Sequence, residues 1–388
     1  ALAAVATSGF EGNVPAGALL ACLLLGLFPA SDIALVLVNR MVSAIFGPRH
    51  LPRLRLSAGI PASLRTFVVV PTLLRREDEV REHVRDLEVH YLSNPEGDVR
   101  FAILSDWRDA LTETEPDDES LLALAAQKIA ALNARHPLPG NATGKRFYIF
   151  HRRRLWNPGE GRWMGWERKR GKLHEFNRLL RGARDTTHVP MPGASAIEEP
   201  PADVRFVVTL DADTRLPMDS VRRLVGTAAH PLNAPRFDAA TNRVVAGYSI
   251  FQPRISPTLP RRDEGSLFRA IFSSAGGISP YAGAVSDAYQ DLFGEGSYTG
   301  KGLYDVDAYE RALTGRIPDN AVLSHDLFES LFARCALLSD VELFEDFPSH
   351  AEVAAVRTHR WVRGDWQLVG WALGRKGRGL PAIARWKL

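Results

Sequence analysis

From residue 65 onward, short β-branched runs alternate with stretches of helical period. Thr66–Pro71, Val99–Leu104, Arg146–His151 and Phe206–Leu210 are apolar and rich in Val, Ile and Phe, which predicts buried strands. Glu77–Leu92, Leu121–Ala134, Lys172–Arg184 and Asp219–Ala229 carry the spacing of helices. Strands alternating with helices predict an α/β domain with a mostly parallel sheet flanked by helices on both faces. The acidic Glu113–Glu119 and the Pro-rich Val189–Pro201 are expected as loops, and no internal repeat is visible.

The first residues show a different pattern. Val14–Phe28 is uncharged and apolar, Pro29-Ala30-Ser31-Asp32 interrupts it, and Ile33–Val38 resumes it. The stretch reaches the roughly 20 apolar residues that cross a bilayer. Pro29 and Asp32 leave open a broken span, or a half-span followed by an interfacial helix. A buried core helix is the remaining alternative. Arg40, Arg49, His50, Arg53 and Arg55 come next, and no acidic residue appears between Arg40 and Glu77. By the positive-inside rule this bias places the α/β domain on the cytoplasmic side. The expected division is therefore 1–60, a transmembrane or interfacial segment with a basic linker, and 61–388, one α/β domain.

Composition narrows the class. A chain of 388 residues with 45% hydrophobic and 24% charged residues is globular, and a net charge of +3 makes no case for a nucleic-acid partner. Cys22 and Cys335 lie far apart and Cys22 sits in an apolar segment, so neither a disulfide framework nor a zinc site is indicated, and the usage suits a reducing, cytosol-facing compartment. Ala1 at the start and Trp386-Lys387-Leu388 at the end suggest a piece of a longer protein.

Candidate chemistry falls at the ends of the predicted strands. Asp211-Ala212-Asp213 closes the run Phe206–Leu210, putting two carboxylates at the carboxyl edge of the sheet, where α/β proteins hold ligands. Two hard oxygen donors so spaced suit Mg²⁺ or Mn²⁺, either of which can also grip a diphosphate. Ser105-Asp106 ends another strand and offers a carboxylate to a nucleotide base or ribose, or a helix cap. Trp166–Lys172 places cations and a glycine ahead of a predicted helix, an arrangement that favours an anion. The interleaved Arg152, Arg153, Arg154, Arg168, Arg170 and Trp156, Trp163, Trp166 could also stack single-stranded nucleic acid. No RNA-binding motif accompanies them, and indoles stack on sugars equally well. Gly294–Gly302 lacks the spacing and hydroxyl of a phosphate-binding P-loop, so its glycines suit close approach to an extended ligand. Ser324-His325-Asp326 opens an amphipathic helix, where Asp326 is either a general base or a cap. Arg357, Arg360, Arg363, Trp361 and Trp366 then crowd into one short segment. Arginine forks there can clamp a diphosphate and Trp361 can stack on a sugar.

This order of Asp, Lys, Asp-x-Asp, glycine-rich segment, helix-opening Asp and Arg-x-x-Arg-Trp resembles processive family-2 glycosyltransferases of GT-A fold. His325 stands where that pattern has Glu, and Arg357 where it has Gln. Arg65–Leu74, Gly300–Val306, Leu323–Leu327 and His359–Gln367 resemble more closely the cyclic β-1,2-glucan synthases, glycosyltransferase family 84, from about residue 10 to the end. The resemblance implies transfer of glucose from UDP-glucose to the 2-hydroxyl of a growing glucan, with inversion, at the cytoplasmic face of the inner membrane. It implies that Asp106 and Asp211 hold the uridine side and that Asp211 and Asp213 hold Mg²⁺ or Mn²⁺. Lys172, Arg357 and Arg360 would neutralise the leaving UDP. Asp326 would be the base, His325 its assistant and Trp361 the acceptor platform. Further transmembrane and phosphorylase-like regions would belong to the parent chain. A synthase of a cellulose-, chitin- or hyaluronan-like polymer and a non-catalytic sugar-nucleotide sensor are the rival readings. The intact pair Asp213 and Asp326 argues against a sensor, and the histidines lack the metal-ligand spacing of a phosphodiesterase.

Overall fold

The computed structural model describes residues 16–46, 50–140, 144–258, 288–318, 322, 325–346, 348, 350–376, 380 and 384–385. Val14, Leu323, Ser324 and Trp386–Leu388, named above for their sequence patterns, lie outside these.

The apolar N-terminal stretch forms one continuous helix, α1 (Ala16–Phe46), with Pro29 inside it, so the broken-span alternative is not what is observed. Nearby, the Ser31 hydroxyl donates 2.7 Å to the Phe28 carbonyl. The helix is long and apolar enough to cross a membrane by length and composition. Leu25, Phe28, Ile33 and Met41 are exposed, so α1 is not a core helix of the described fold.

The domain then runs through β1 (Thr66–Leu74), α2 (Glu77–Ser93), β2 (Val99–Trp107), α3 (Asp118–Arg135), β3 (Phe147–Arg152), β4 (Leu155–Asn157), β5 (Arg162–Met164), α4 (Arg168–Leu180), β6 (His188–Val189), β7 (Phe206–Thr209), β8 (Thr214–Arg215) and α5 (Ser220–Ala228). It continues with β9 (Arg236–Phe237), β10 (Val244–Ala246), β11 (Ile250–Pro257), α6 (Ala288–Phe293), β12 (Gly302–Asp305), α7 (Val306–Leu313), α8 (Asp326–Ala333), β13 (Cys335–Glu345) and α9 (Ala351–Ala372).

Among the described residues the main sheet has the order β6-β3-β2-β1-β7-β12-β11-β13-β8. β3, β2, β1 and β7 are mutually parallel, as the alternation of strands and helices predicts. The other half is mixed, because β12 runs antiparallel to both β7 and β11. The predicted mostly parallel sheet flanked by helices is thus what forms.

The central strands are largely apolar because both faces are covered. Val68, Val70, Phe101, Ile103, Ile149 and Val208 pack with Val84 and Leu87 of α2, Leu121 and Ile129 of α3, and Leu224 of α5. Their neighbours Phe67, Val69, Leu104, Tyr148, Phe150 and Val207 turn the other way, onto Leu173 and Phe176 of α4 and Phe328 and Phe332 of α8.

Two features of this topology create a site. From β1 the sheet grows one way through β2 and the other way through β7, and the divergence opens a crevice at their carboxyl ends. The turn leaving β7 then carries the chain to the far edge, where Thr214 and Arg215 pair antiparallel with Glu345 and Phe344 of β13. Asp211-Ala212-Asp213 lies in that crossing.

Phe176 is fully buried and meets Phe67 at 5.3 Å edge-on and Phe150 at 5.2 Å between ring centroids. Phe176→Ala is expected to lower unfolding stability by about 3–5 kcal/mol. Urea denaturation followed by tryptophan fluorescence measures it, and a loss under about 1 kcal/mol would contradict this packing.

Candidate active site

Strand pairing fixes the centre of the site. Because Glu345 pairs with Thr214, its carboxylate comes beside Asp213, and oxygens of Asp211, Asp213 and Glu345 all lie within 4.8 Å of one another. Lysines answer part of this charge. Lys301 Nζ sits 2.8 Å from Asp211 Oδ2 and 3.0 Å from Glu345 Oε2. Lys169 Nζ pairs with Asp211 Oδ1 and donates 2.7 Å to the Gly300 carbonyl. Burial would raise the Asp211 pKa, but the two ammoniums outweigh it and hold Asp211 well below the usual carboxylate range. Burial would lower that of Lys301, and Asp211 and Glu345 reverse this to hold it well above the ordinary lysine value. Among the described residues no ammonium lies within ion-pair distance of Asp213, and Lys301 offsets its surroundings only in part. Asp213 stands at the mouth of the cleft, yet the surrounding protein together with Glu345 and Asp211 pushes its pKa up to about 6. The donor set is three carboxylates whose oxygens converge within 4.8 Å, which fits a hard divalent cation. A cation bound there would share Asp211 and Glu345 with Lys301.

A second acidic cluster, His325, Asp326 and Glu329, opens α8. His325 Nδ1 is 3.0 Å from Glu329 Oε2 and 3.3 Å from Asp326 Oδ1. The loop before β12 joins the two clusters. Gly300 has φ +80°, and a Cβ there would lie 2.7 Å from both Asp326 oxygens. Only glycine admits both that backbone and that contact. Gly300 thus carries Asp326 on its Cα side and Lys169 on its carbonyl, one residue before Lys301.

Two predicted contacts are corrected. β2 runs on through Trp107, so Asp106 does not end the strand but lies within it, 1% exposed and opposite Arg152 in register. Arg152 holds it through two hydrogen bonds of 2.8 and 2.9 Å, with Lys172 Nζ at 3.2 Å. Lys172 is itself buried and donates 2.7 Å to the Thr72 carbonyl of β1. Neither group is presented to a ligand, because a buried charge already matched this closely is costly to re-expose. The basic run 168–172 is not an open anion site either. α4 begins at Arg168, so Gly171 falls within its first turn, where a Cβ would meet the Trp166 carbonyl at 1.9 Å. Arg168 pairs with Asp109 at 2.7 Å and Arg170 with Glu167. Arg154 is likewise buried against Asp118, which leaves Arg152 and Arg154 unavailable to a nucleic-acid backbone.

On α9, Arg357 reaches the first cluster, 3.4 Å from Glu345 Oε1, and its guanidinium lies 4.8 Å from the Trp361 ring centroid. Trp361 is half exposed and Arg360 exposed, one turn beyond. The structure therefore joins Asp211, Asp213 and Arg357, sets Asp326 and His325 beside them, and keeps Asp106 and Lys172 beneath. Sequence reasoning missed Glu345 and Glu329, and reached Lys169 and Lys301 only as members of the basic and glycine-rich runs. Glu345-Asp346 does end an alternating run, a strand-end carboxylate like that of Asp211, and this signal could have found it.

No family model matches the chain. It is 51% identical over 376 residues, 97% of its length, to the cyclic beta-(1,2)-glucan synthase NdvB of Rhizobium meliloti (strain 1021). The chain is homologous to one segment of a cyclic β-(1,2)-glucan synthase. It spans only 13% of that protein. This supports the resemblance read from the glycine-rich and Arg-Trp motifs. Among solved structures, the mannosyl-3-phosphoglycerate synthase from Rubrobacter xylanophilus aligns with 78% of this chain and 72% of its own, at 14% identity and a TM-score of 0.34. No residue role is transferred from it.

The crowding at Asp213 has a measurable consequence. Its raised pKa means that the folded state binds a proton more readily than the unfolded chain, so this group costs stability as pH rises from the unfolded value through about 6. Asp213→Asn is therefore expected to melt higher than wild type at pH 7.5 in chelator, with the difference fading by pH 4.5. Differential scanning fluorimetry across pH measures this. An Asn variant that melts lower at pH 7.5 would show that the carboxylates do not repel.

Proposed function

We propose that this chain is the glucosyltransferase segment of a membrane-associated cyclic β-1,2-glucan synthase. It transfers glucose from UDP-glucose to the 2-hydroxyl of a growing glucan with inversion, on a GT-A-like fold facing the cytoplasm. The observation that carries the reading is the junction of two acidic clusters across Gly300-Lys301, one rich in cations and the other holding an ionisable pair. Such a junction suits a reaction in which a diphosphate leaves at one end while a hydroxyl loses its proton at the other.

Asp211, Asp213 and Glu345 would hold Mg²⁺ or Mn²⁺, which when bound supplies positive charge to the departing diphosphate. Lys301, Lys169, Arg357 and Arg360 add fixed charge to the same end, where stabilising the leaving group lowers the barrier most. Asp326 takes the acceptor proton, the step that inversion by direct displacement requires. His325 sits beside it and assists it. Trp361 offers an exposed indole face to the acceptor sugar. Asp106 and Lys172 serve from below, fixing Arg152 and the end of β1 that floors the nucleotide site. α1 would anchor the domain beside the further transmembrane and phosphorylase-like parts of the parent chain, with no nucleic acid involved.

The test uses membranes carrying the full-length parent, radiolabelled UDP-glucose and Mn²⁺ or Mg²⁺. Wild type is expected to place label in 2-substituted glucan. Asp213→Ala should lower this by roughly 10²–10³-fold and Asp326→Asn by roughly 10²–10⁴-fold. Calorimetric titration with Mn²⁺ should show binding in wild type and little in Asp213→Ala. Label in a polymer of another linkage would shift the product assignment. Binding of UDP-glucose without transfer would replace the enzyme with a sensor.

A further inference from the structure

Glu329 has no place in the reaction just described, yet it is one of the most enclosed charges in the domain, 1% exposed. Carboxylates are rarely buried so completely unless a specific partner holds them. Glu329 lies one helical turn after His325 on α8, a spacing that stacks the two side chains. Its Oε2 is 3.0 Å from His325 Nδ1 and its Oε1 is 3.7 Å from Arg170 Nε on α4. Asp326 Oδ1 approaches the same His325 nitrogen at 3.3 Å.

Two carboxylates therefore converge on one imidazole nitrogen, both within ion-pair distance of His325 Nδ1 and neither in line to accept a hydrogen bond from it. Whichever of them the imidazolium pairs with more closely is the weaker base toward anything else. Glu329 is the closer of the two and has no opening to the cleft, while Asp326 is partly exposed over Gly300. Resting on the proposed role of Asp326, we infer that Glu329 is a positioning residue: its buried charge holds the His325 ring by the closer ion pair and so leaves the Asp326 carboxylate free to accept the proton of the acceptor hydroxyl.

The charges facing His325 agree with this division. Asp326 and Glu329 come from its own helix, and Lys169 and Arg170 from α4. Tyr298 and Tyr309 are buried beside Glu329, held neutral by burial and the nearby carboxylates. Burial would lower the His325 pKa, but Glu329 first and Asp326 second outweigh it and raise it. Without the Glu329 charge, His325 would lose its proton at lower pH.

The experiment measures transfer from UDP-glucose by the full-length parent in membranes, with variants Glu329→Gln, His325→Gln and both together, beside Asp326→Asn. Glu329→Gln is expected to lower kcat roughly 10²-fold, as misplacement of a reacting group does, while KM for UDP-glucose is unchanged. The alkaline limb of its kcat profile should move to lower pH. In the His325→Gln background the same change should add little, because Glu329 acts through His325. Additive losses, or a kcat loss with an unmoved alkaline limb, would assign Glu329 a merely structural role and overturn the inference. Should Glu329→Gln fail to bind UDP-glucose, Glu329→Asp carries the test, since it keeps the charge and shortens its reach. Wild-type kcat in that variant overturns the inference. Full activity in Asp326→Asn overturns the base assignment and the inference together, whereas loss in Asp326→Asn alone overturns only the inference.

Discussion

Everything in the site depends on one ammonium group. Lys301 Nζ lies between Asp211, from the turn after β7, and Glu345, from the end of β13. Without a cation there, carboxylates brought together by the strand order would repel one another in a partly enclosed crevice, where charges interact more strongly than in water. The lysine is set in place by the loop before β12, and β12 is the antiparallel strand wedged between β7 and β11. The strand that makes the sheet mixed thus also delivers the charge that lets its ends converge. Gly300, immediately before, gives Asp326 its place, so one short loop supplies both halves of the site.

Local elements were largely legible. β1, β3 and β7 lie within a few residues of the apolar runs that predict them, as do α2, α3 and α5, because burial on both faces of a sheet or on one face of a helix leaves a direct trace in residue pattern. Asp211-Ala212-Asp213 was legible for the same reason, as carboxylates ending such a run. The relation between distant strands was not. That Thr214 pairs with Glu345 depends on the order in which strands join the sheet, and nothing in the period of either segment encodes this order. Glu345 therefore stayed hidden even though its position at a strand end was visible.

Asp106 shows the converse error. Polar residues after an apolar run suggest that a strand has stopped, but β2 continues because Arg152 stands opposite in register on β3 and neutralises the intruding charge. Lys172 from α4 completes the match and ties it to β1. A charge compensated by the neighbouring strand looks, in sequence, the same as a charge left for a ligand. The basic run 168–172 misleads in part, since Arg168 and Lys172 each meet a carboxylate that only folding brings near, while Lys169 does reach the site.

These internal pairs bear on how a ligand is received. On the proposed reading, an anionic donor and a divalent cation share this crevice, and the donor finds Lys169, Lys301 and Arg357 already engaged with Asp211 and Glu345. It gains attraction only by exchanging partners, and a divalent cation arriving with it makes that exchange favourable by taking over the carboxylates the lysines release. Charge thereby couples the two arrivals: either alone leaves repulsion or unmatched ammoniums, and both together restore neutrality. On the same reading the acceptor side is built differently, with Asp326 over Gly300, 3.3 Å from His325, and Trp361 offering an exposed indole face. A neutral sugar suits such a surface, since stacking on an aromatic face requires no exchange of ions.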